Sequence, residues 1–240
     1  MSNKKIDIEV IIVTSDKYLH LLKPACFLFN KYWGEFQPVT ILGYRKPNFE
    51  LPQNFTFKSM GVDNGPNDWS TGILKYLETM ENTHFILGLE DLMLTGPTDF
   101  DKLNKVLEHT TNDRVGRICL VRDVVHKPHR VFKEVDNDFS IIESENDAPY
   151  RFSLMWSVWS KEYFTKYSTE KMNPWDFEEL CTTRDIKDIS SSYHVLGTKS
   201  KSGPPDNTPL DTSNVLWRGE GFNFHRMNYP NLEHEAKLDY

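Results

Sequence analysis

Cysteine is scarce in this sequence, and the three cysteines lie far apart. Cys26, Cys119 and Cys181 are odd in number and match no zinc-site spacing, so neither a disulfide framework nor a zinc centre is expected. A basic excess is also missing, because 35 acidic residues against 28 basic ones give a net charge of −7. A nucleic-acid backbone attracts clustered lysine and arginine, so we expect no such partner.

Long apolar runs and glycine-rich loops are missing as well. No apolar stretch is long enough to span a bilayer, and the polar start at residues 1–5 does not have the pattern of a signal peptide. With reduced thiols, this predicts a cytoplasmic protein. Neither GxxxxGK[ST] nor GxGxxG occurs, which disfavours P-loop and dinucleotide-binding enzymes.

What is present is a globular composition, with 38% apolar and 26% charged residues over 240 positions. This length suits one sizeable α/β domain, which we assign to residues 1–196. Residues 197–214 are rich in Ser, Lys, Gly, Pro and Asp without periodicity, which predicts a flexible loop and a candidate lid over the binding site. Residues 215–240 then form a C-terminal extension packing on the same domain.

Apolar strands alternate with amphipathic helices through the first half of the chain. Strands are predicted near residues 6–14, 39–42, 55–59, 84–89 and 118–121, and helices near 18–32, 73–80 and 98–110. A hairpin within 131–142 and a strand at 152–159 follow. The pattern predicts an α/β fold with a mixed, mainly parallel sheet and helices on both faces.

Ligands of open α/β sheets bind beyond the carboxyl ends of the strands. Polar residues follow three predicted strands there, at Thr14-Ser15-Asp16, Glu90-Asp91 and Arg122-Asp123. We therefore expect a binding site that draws on these three segments.

Glu90-Asp91 stands between two apolar runs, residues 85–89 and 92–94. Burying negative charge is costly, and a divalent cation with substrate phosphates offsets that cost. An acidic turn held by backbone donors explains the pattern equally well, and both interpretations stay open.

An apolar strand ending in Glu90-Asp91, after a helix that begins Trp69-Ser70, resembles the nucleotide-sugar site of GT-A-fold glycosyltransferases. In that family a DxD-like motif binds the metal and the diphosphate. The resemblance implies a Rossmann-type GT-A catalytic domain, donor contacts from Glu90 and Asp91, and Asp91 as a ligand of Mn²⁺ or Mg²⁺. The chain has Leu89-Glu90-Asp91-Leu92 in place of a strict DxD.

A second resemblance covers residues 154–164, LMWSVWSKEYF, and residues 173–179, NPWDFEE. They resemble the acceptor side of glycosyltransferases, where an Asp or Glu deprotonates the acceptor hydroxyl. This implies Glu178 as the catalytic base, with Asp176 as second choice. Acidic residues are also favoured in a first helical turn without any catalytic role, and Trp175 is then a core anchor.

The resemblance also implies donor contacts elsewhere. Thr14 and Ser15 take the position that grips the base and ribose, and Asp68 and Trp69 add further contacts, whereas Ser70 fits a helix N-cap better. Near the C-terminus, His225 resembles a late metal-ligating histidine. Arg218 or Arg226 has the charge to neutralise the diphosphate.

The sequence thus predicts an enzyme that transfers a sugar from a nucleotide-sugar donor, with a UDP-sugar favoured, to a glycan or other hydroxyl acceptor, with inversion. Two alternatives remain open. One is a carbohydrate-binding or assembly module that has kept the fold and lost the chemistry. The other is a metal-dependent nucleotidyltransferase, which also places carboxylates beyond parallel strands.

Overall fold

The computed structural model describes residues 5–180, 192–201, 208–217, 220–222 and 236. In chain order, the elements of the first half are β1 (Glu9–Val13), α1 (Leu22–Tyr32), β2 (Val39–Gly43), β3 (Phe55–Ser59), α2 (Trp69–Thr79), β4 (His84–Leu89), β5 (Leu92–Leu94), α3 (Phe100–Leu107) and β6 (Val115–Cys119). A 3₁₀ helix, Asp16–Leu21, leads into α1. None of the helices in these segments is long and apolar enough to cross a membrane.

The second half is richer in antiparallel pairs. Its elements are β7 (His129–Glu134), β8 (Phe139–Ser144), β9 (Ser157–Ser160), α4 (Lys161–Tyr167), α5 (Pro174–Glu178), β10 (His194–Ser200), β11 (Thr212–Asn214), β12 (Leu216–Trp217) and β13 (Glu220–Phe222). The predicted hairpin is confirmed, because β7 and β8 pair antiparallel.

One nine-stranded sheet has the order β3-β2-β1-β4-β9-β6-β10-β8-β7. The strands β1 to β4 are mutually parallel, and β9 runs antiparallel between β4 and β6. The carboxyl ends of β1, β2, β3, β4 and β6 therefore share one edge, which we call the carboxyl edge. Because β9 runs the other way, the residues before Ser157 reach the same edge.

Helices cover both faces of the sheet, as predicted. On β1, Val10 and Ile12 point into the cluster that contains residues of α1 and α3. Ile11 and Val13 point into the opposite cluster, which contains residues of α2, α4 and α5. A strand buried on both faces needs an unbroken apolar sequence, and this explains the Val-Ile-Ile-Val run of β1.

The expectation of a loop over residues 197–214 is wrong at both ends. Gly197–Ser200 belong to β10, which pairs with β6 on one side and β8 on the other. Thr212–Asn214 form β11 and pair with β5. Polar residues adopt strand structure here because neighbouring strands satisfy their backbone groups. A lid would have to lie within residues 202–207, which are outside the described segments.

The predicted strand at 152–159 is shorter, and only Ser157–Ser160 pair in the sheet. Just before it, Trp156 crosses over β4 with its indole ring against Gly88. The indole Nε1 donates a hydrogen bond of 2.6 Å to the carbonyl of Leu92. Any side chain at position 88 would occupy the space of this ring, so the glycine is required by packing.

We predict that Gly88→Ala destabilises the protein by about 1–3 kcal/mol, because the new methyl group overlaps the Trp156 ring. Denaturant unfolding of the variant measures this cost. In a Trp156→Phe background the smaller ring relieves the overlap, so the two changes should combine with less than additive cost.

Gly96→Ala is the matched control. Its Cβ would lie 3.3 Å from an Asp211 carboxylate oxygen at the end of an exposed side chain, which is free to shift. Equal losses of stability at positions 88 and 96 would contradict the packing argument.

Candidate functional site

The loop after β1 and the loop after β4 meet at the carboxyl edge. Val13 pairs with Leu89 in the parallel register, so the residues that follow both strands lie side by side. Thr14 and the backbone of Ser15 lie close enough to the Glu90 carboxylate to lower its pKa, and the Thr14 hydroxyl also donates to the Ser15 carbonyl at 3.3 Å. Two of the three segments singled out in the sequence are therefore in direct contact.

Burial dominates the electrostatics of Glu90 and Asp91. The pKa of Glu90 lies well above its usual value because the side chain is buried, and the neighbouring Asp91 charge raises it further. Burial also raises the pKa of Asp91, to about 6. In the segments that the structure describes, no lysine or arginine forms an ion pair with either carboxylate. The pair therefore lacks a compensating cation among the described residues, and burial favours its protonated forms.

These residues fit a divalent cation that is shared with a substrate. Among the described residues, no group of three or more His, Cys, Asp and Glu side chains is arranged to hold a metal ion. Mg²⁺ typically takes only one or two carboxylates from a protein and completes its shell with phosphates and water. Glu90-Asp91 supplies that number. His225 and Arg218 lie outside the described residues.

A second group of polar side chains lies beside the β1 loop and was not predicted from the sequence. The Asp63 carboxylate accepts hydrogen bonds from the backbone amides of Asp16 and Gly65, at 3.0 and 2.8 Å. The Asp16 carboxylate in turn accepts one from the amide of Arg45, at 3.0 Å. Loops that follow β1, β2 and β3 are tied together in this way.

Tyr44, the residue after β2, is buried within this group. Its hydroxyl has no hydrogen-bond partner within the described segments, and its pKa is raised to about 12, first by burial and then by the charges of Asp63, Asp68 and Asp16. A buried hydroxyl without a partner is costly, and a polar ligand would satisfy it. Tyr44 comes just after a predicted strand, and this position, which identified Thr14 in the sequence, identifies Tyr44 as well.

Asp68, Trp69 and Ser70 have three different environments. Asp68 occupies the N-cap position of α2 and is half-buried, and its pKa is lowered because the side chains of Thr71 and Asn64 donate to it. Trp69 packs in the core against Phe164, so its burial favours a packing role over the donor contact that the sequence suggested.

Ser70 is not the N-cap. It lies within the first turn of α2, where its hydroxyl donates to the carbonyl of Thr169 at 2.6 Å and accepts from the amide of Met172 at 2.9 Å. These bonds fix the segment before α5. They therefore help to set the position of Glu178.

The helix α5 begins as predicted, with Pro174 at its first position. The Asn173 side chain caps it by accepting from the backbone amide of Asp176, and Asn173 also bonds to Asn67 at 3.3 Å, in the loop before α2. Asp176 is exposed and accepts from the Asn173 amide group at 2.8 Å. A capping role accounts for Asp176.

The side chain of Glu178 is less exposed than that of Asp176. Its carboxylate accepts a hydrogen bond of 2.7 Å from the amide of Leu154, and burial raises its pKa above the usual value. Leu154 lies two residues from Trp156, which bonds to Leu92 beside Asp91. The sequence-predicted base and the acidic pair are thus linked through one short loop at the carboxyl edge.

A buried cluster of charges lies next to Glu178 and was only partly foreseen. Arg117, almost fully buried, donates to Ser157 Oγ at 2.9 Å and forms an ion pair of 3.3 Å with Asp123. Lys127 binds the same Asp123 oxygen at 2.8 Å. Asp123, expected as a ligand-facing residue, is instead engaged by two cations. Arg122 does not join this cluster, because its guanidinium lies 3.6 Å from the carboxylate of Asp211.

We predict that Glu178→Gln is more stable than the unmodified protein at neutral pH. A carboxyl whose pKa is raised on folding contributes stability below its unfolded pKa, and that stability is lost as the pH rises through the folded value. Glutamine keeps an acceptor for Leu154 and has no charge to bury. We expect a gain on the order of 1 kcal/mol near pH 8 that disappears near pH 4.

Thermal or urea unfolding across that pH range checks this prediction. Glu170→Gln, at an exposed position, is the control and should leave the pH dependence unchanged. A variant at position 178 that follows the unmodified protein at every pH would contradict the burial of its charge.

Comparison with known proteins adds a likeness of fold. No protein-family model matches the sequence, and no curated protein sequence matches it. A mannosyltransferase from Pyrobaculum calidifontis, solved in complex with GDP-Man and Mn²⁺, is similar with a TM-score of 0.52 and 11% identity. The match covers 90% of this chain and 59% of that protein, so the chain spans little more than half of it.

Two further solved structures resemble the chain over nearly its whole length. A galactosyltransferase in complex with donor and acceptor sugar analogues gives a TM-score of 0.48 at 9% identity, covering 96% of this chain and 95% of the other. A cytidylyltransferase from Leptospira borgpetersenii gives 0.49 at 10% identity, covering 97% of each. The mannosyltransferase match shows the fold, and the mixed, mainly parallel GT-A-like sheet predicted from the sequence is confirmed.

Proposed function

We propose that this protein is a glycosyltransferase that moves a sugar from a nucleotide-sugar donor to an acceptor hydroxyl. The observation that carries the proposal is the arrangement at the carboxyl edge. Glu90 contacts the β1 loop, Asp91 lies next to it as a half-buried carboxylate without a cationic partner among the described residues, and Glu178 is connected to both through the 154–156 loop. The fold likeness to a glycosyltransferase supports the same conclusion.

The donor is assigned to the β1 side of this edge. Thr14, Ser15 and Asp68 are the proposed donor contacts. The charges of Asp63, Asp68 and Asp16 act on the buried hydroxyl of Tyr44 beside them, and a nucleoside offers the polar groups that this hydroxyl needs. We retain a UDP-sugar as the favoured donor. Arg218, outside the described residues, keeps its proposed role at the diphosphate.

The diphosphate is assigned to Glu90-Asp91. A bound Mn²⁺ or Mg²⁺ would screen the charge of the diphosphate as it leaves. Asp91 is the proposed protein ligand, because Glu90 is the more deeply buried of the two and already interacts with Thr14 and Ser15 of the β1 loop. His225 is retained as a further ligand in the proposal. Glu90 holds the loop that grips the donor.

Glu178 is the proposed catalytic base. A general base works best when its pKa lies near the working pH, and burial moves the pKa of Glu178 in that direction. The hydrogen bond from Leu154 orients one carboxylate oxygen, so the other is available to take a proton. A base that acts in line with the leaving diphosphate gives inversion at the anomeric carbon. Asp176 stays the second choice because it is exposed and serves as part of the helix cap.

We predict that one class of nucleotide sugar raises the melting temperature in the presence of Mn²⁺, because a ligand that binds only the folded state stabilises it by mass action. A thermal-shift screen of UDP-, GDP-, dTDP- and CMP-sugars measures this. Asp91→Asn should lower the affinity for the donor at least about tenfold, the scale of one lost charged contact.

The product then separates the enzyme classes. Release of a nucleoside diphosphate supports glycosyl transfer, whereas release of pyrophosphate from a nucleoside triphosphate and a sugar phosphate would indicate a nucleotidyltransferase. Donor binding without turnover in the presence of acceptors would indicate a non-catalytic module.

We predict that Glu178→Gln lowers kcat about 100-fold or more while donor affinity stays the same, because only the proton acceptor is lost. Asp176→Asn is the matched control and should keep most of the activity. Steady-state kinetics with a saturating donor distinguishes the two residues. If Asp176→Asn is inactive and Glu178→Gln is active, the roles are reversed.

A further inference from the structure

The side chain of Trp175 differs in its exposure from four other tryptophans of the chain. Trp33, Trp69, Trp156 and Trp159 are buried, whereas Trp175 is 60% exposed. The sequence left open that Trp175 anchors the core, and the structure contradicts this, because Phe177 fills that position two residues later. Exposing an indole ring forfeits the stabilisation that burying it would give. Its exposure calls for an explanation.

The position of Trp175 on α5 connects it to the proposed base. Residues three apart lie next to each other on a helix surface, so Trp175 and Glu178 occupy neighbouring positions one turn apart. The helix itself is held at both ends, by the Asn173 bond to Asn67 and by the Glu178 bond to Leu154. The ring is therefore mounted on a fixed element beside the carboxylate.

The residues close to Trp175 in the chain are largely polar. Lys171 and Asp176 are exposed, and Asn173 and Glu179 are partly exposed. No other ring stacks on Trp175 within the part of the chain that the structure describes. An acyl chain or an apolar peptide needs a continuous apolar patch, which a single ring among polar groups does not provide.

A sugar ring fits this environment. One face of a pyranose carries C–H groups, which the negative face of an indole attracts, and its rim carries hydroxyls for the polar neighbours. On the basis of the function proposed above, we propose that Trp175 is the stacking platform for the acceptor, and that the acceptor is a carbohydrate whose hydroxyl is thereby held at Glu178. Trp175 then determines the acceptor specificity of the site.

The test observes the indole N–H signals of the full chain, labelled with ¹⁵N-tryptophan, by NMR. Trp175→Phe assigns the signal by removing it. The probes are methyl pyranosides and disaccharides of glucose, galactose, mannose and N-acetylglucosamine. They are added up to about 100 mM, because the contact with one ring gives only weak binding. The same sample is screened with nucleotide sugars and Mn²⁺.

We expect the Trp175 signal to move with at least one probe and to saturate, while the signals of the buried indoles stay in place. Trp175→Ala should weaken that probe about two- to tenfold, the equivalent of one ring contact, and leave donor binding unchanged. Phe36→Ala is the matched control. Phe36 is 58% exposed and lies before β2, at the opposite edge of the sheet, so its removal should change nothing.

The outcomes separate this inference from the proposed function. If the donor binds and no pyranoside moves the Trp175 signal, the role of Trp175 is contradicted and the proposed transferase function is not. Movement with detergent micelles or a peptide, and with no pyranoside, overturns the carbohydrate acceptor. Movement with pyranosides without donor binding keeps the sugar contact and contradicts the transferase.

Discussion

The packing of Trp156 against Gly88 is the contact on which the arrangement of the site depends. It comes just before β9, the one strand that runs antiparallel in the middle of the sheet. Because β9 enters from the carboxyl edge, the loop before it is brought onto the strand that ends in Glu90-Asp91. The hydrogen bond from the indole to Leu92 fixes the distance between the two segments. Trp156 thereby connects the Glu90-Asp91 pair to the loop that holds Glu178, the candidate base.

The burial of carboxylates is the second constraint on the site, and it lowers the stability of the folded protein. Glu90, Asp91 and Glu178 all have raised pKa values because the protein removes them from water. The Arg117–Asp123–Lys127 cluster is different, since its opposite charges compensate each other. Among the described residues Glu90 and Asp91 have no cationic partner, and Glu178 keeps a raised pKa although Arg117 and Lys127 are near. These carboxylates lie at the edge where α/β folds bind ligands. This contrast is the reason for assigning function to the first group.

Much of the fold was accessible from the sequence. The β-branched run of β1, the alternation of strands with helices, and the Asn-Pro start of α5 each specify a local structure through backbone preference and burial pattern. The errors fell where local preference is weak. The sequence predicts a loop for Gly197–Ser200 of β10 and a strand for residues 152–156, and both predictions are wrong because partners distant in the chain decide these segments.

The sequence by itself determined which residues lie at strand ends and helix starts, and hence the candidates Thr14, Glu90, Asp91 and Glu178. Only the tertiary structure decided which of them touch, that Trp69 is buried and Trp175 exposed, and that Tyr44 and Asp63 join the site. The physical reason is that hydrophobic pattern and capping act between residues close in the chain. Contacts between loops are set by strand order, which no local signal encodes.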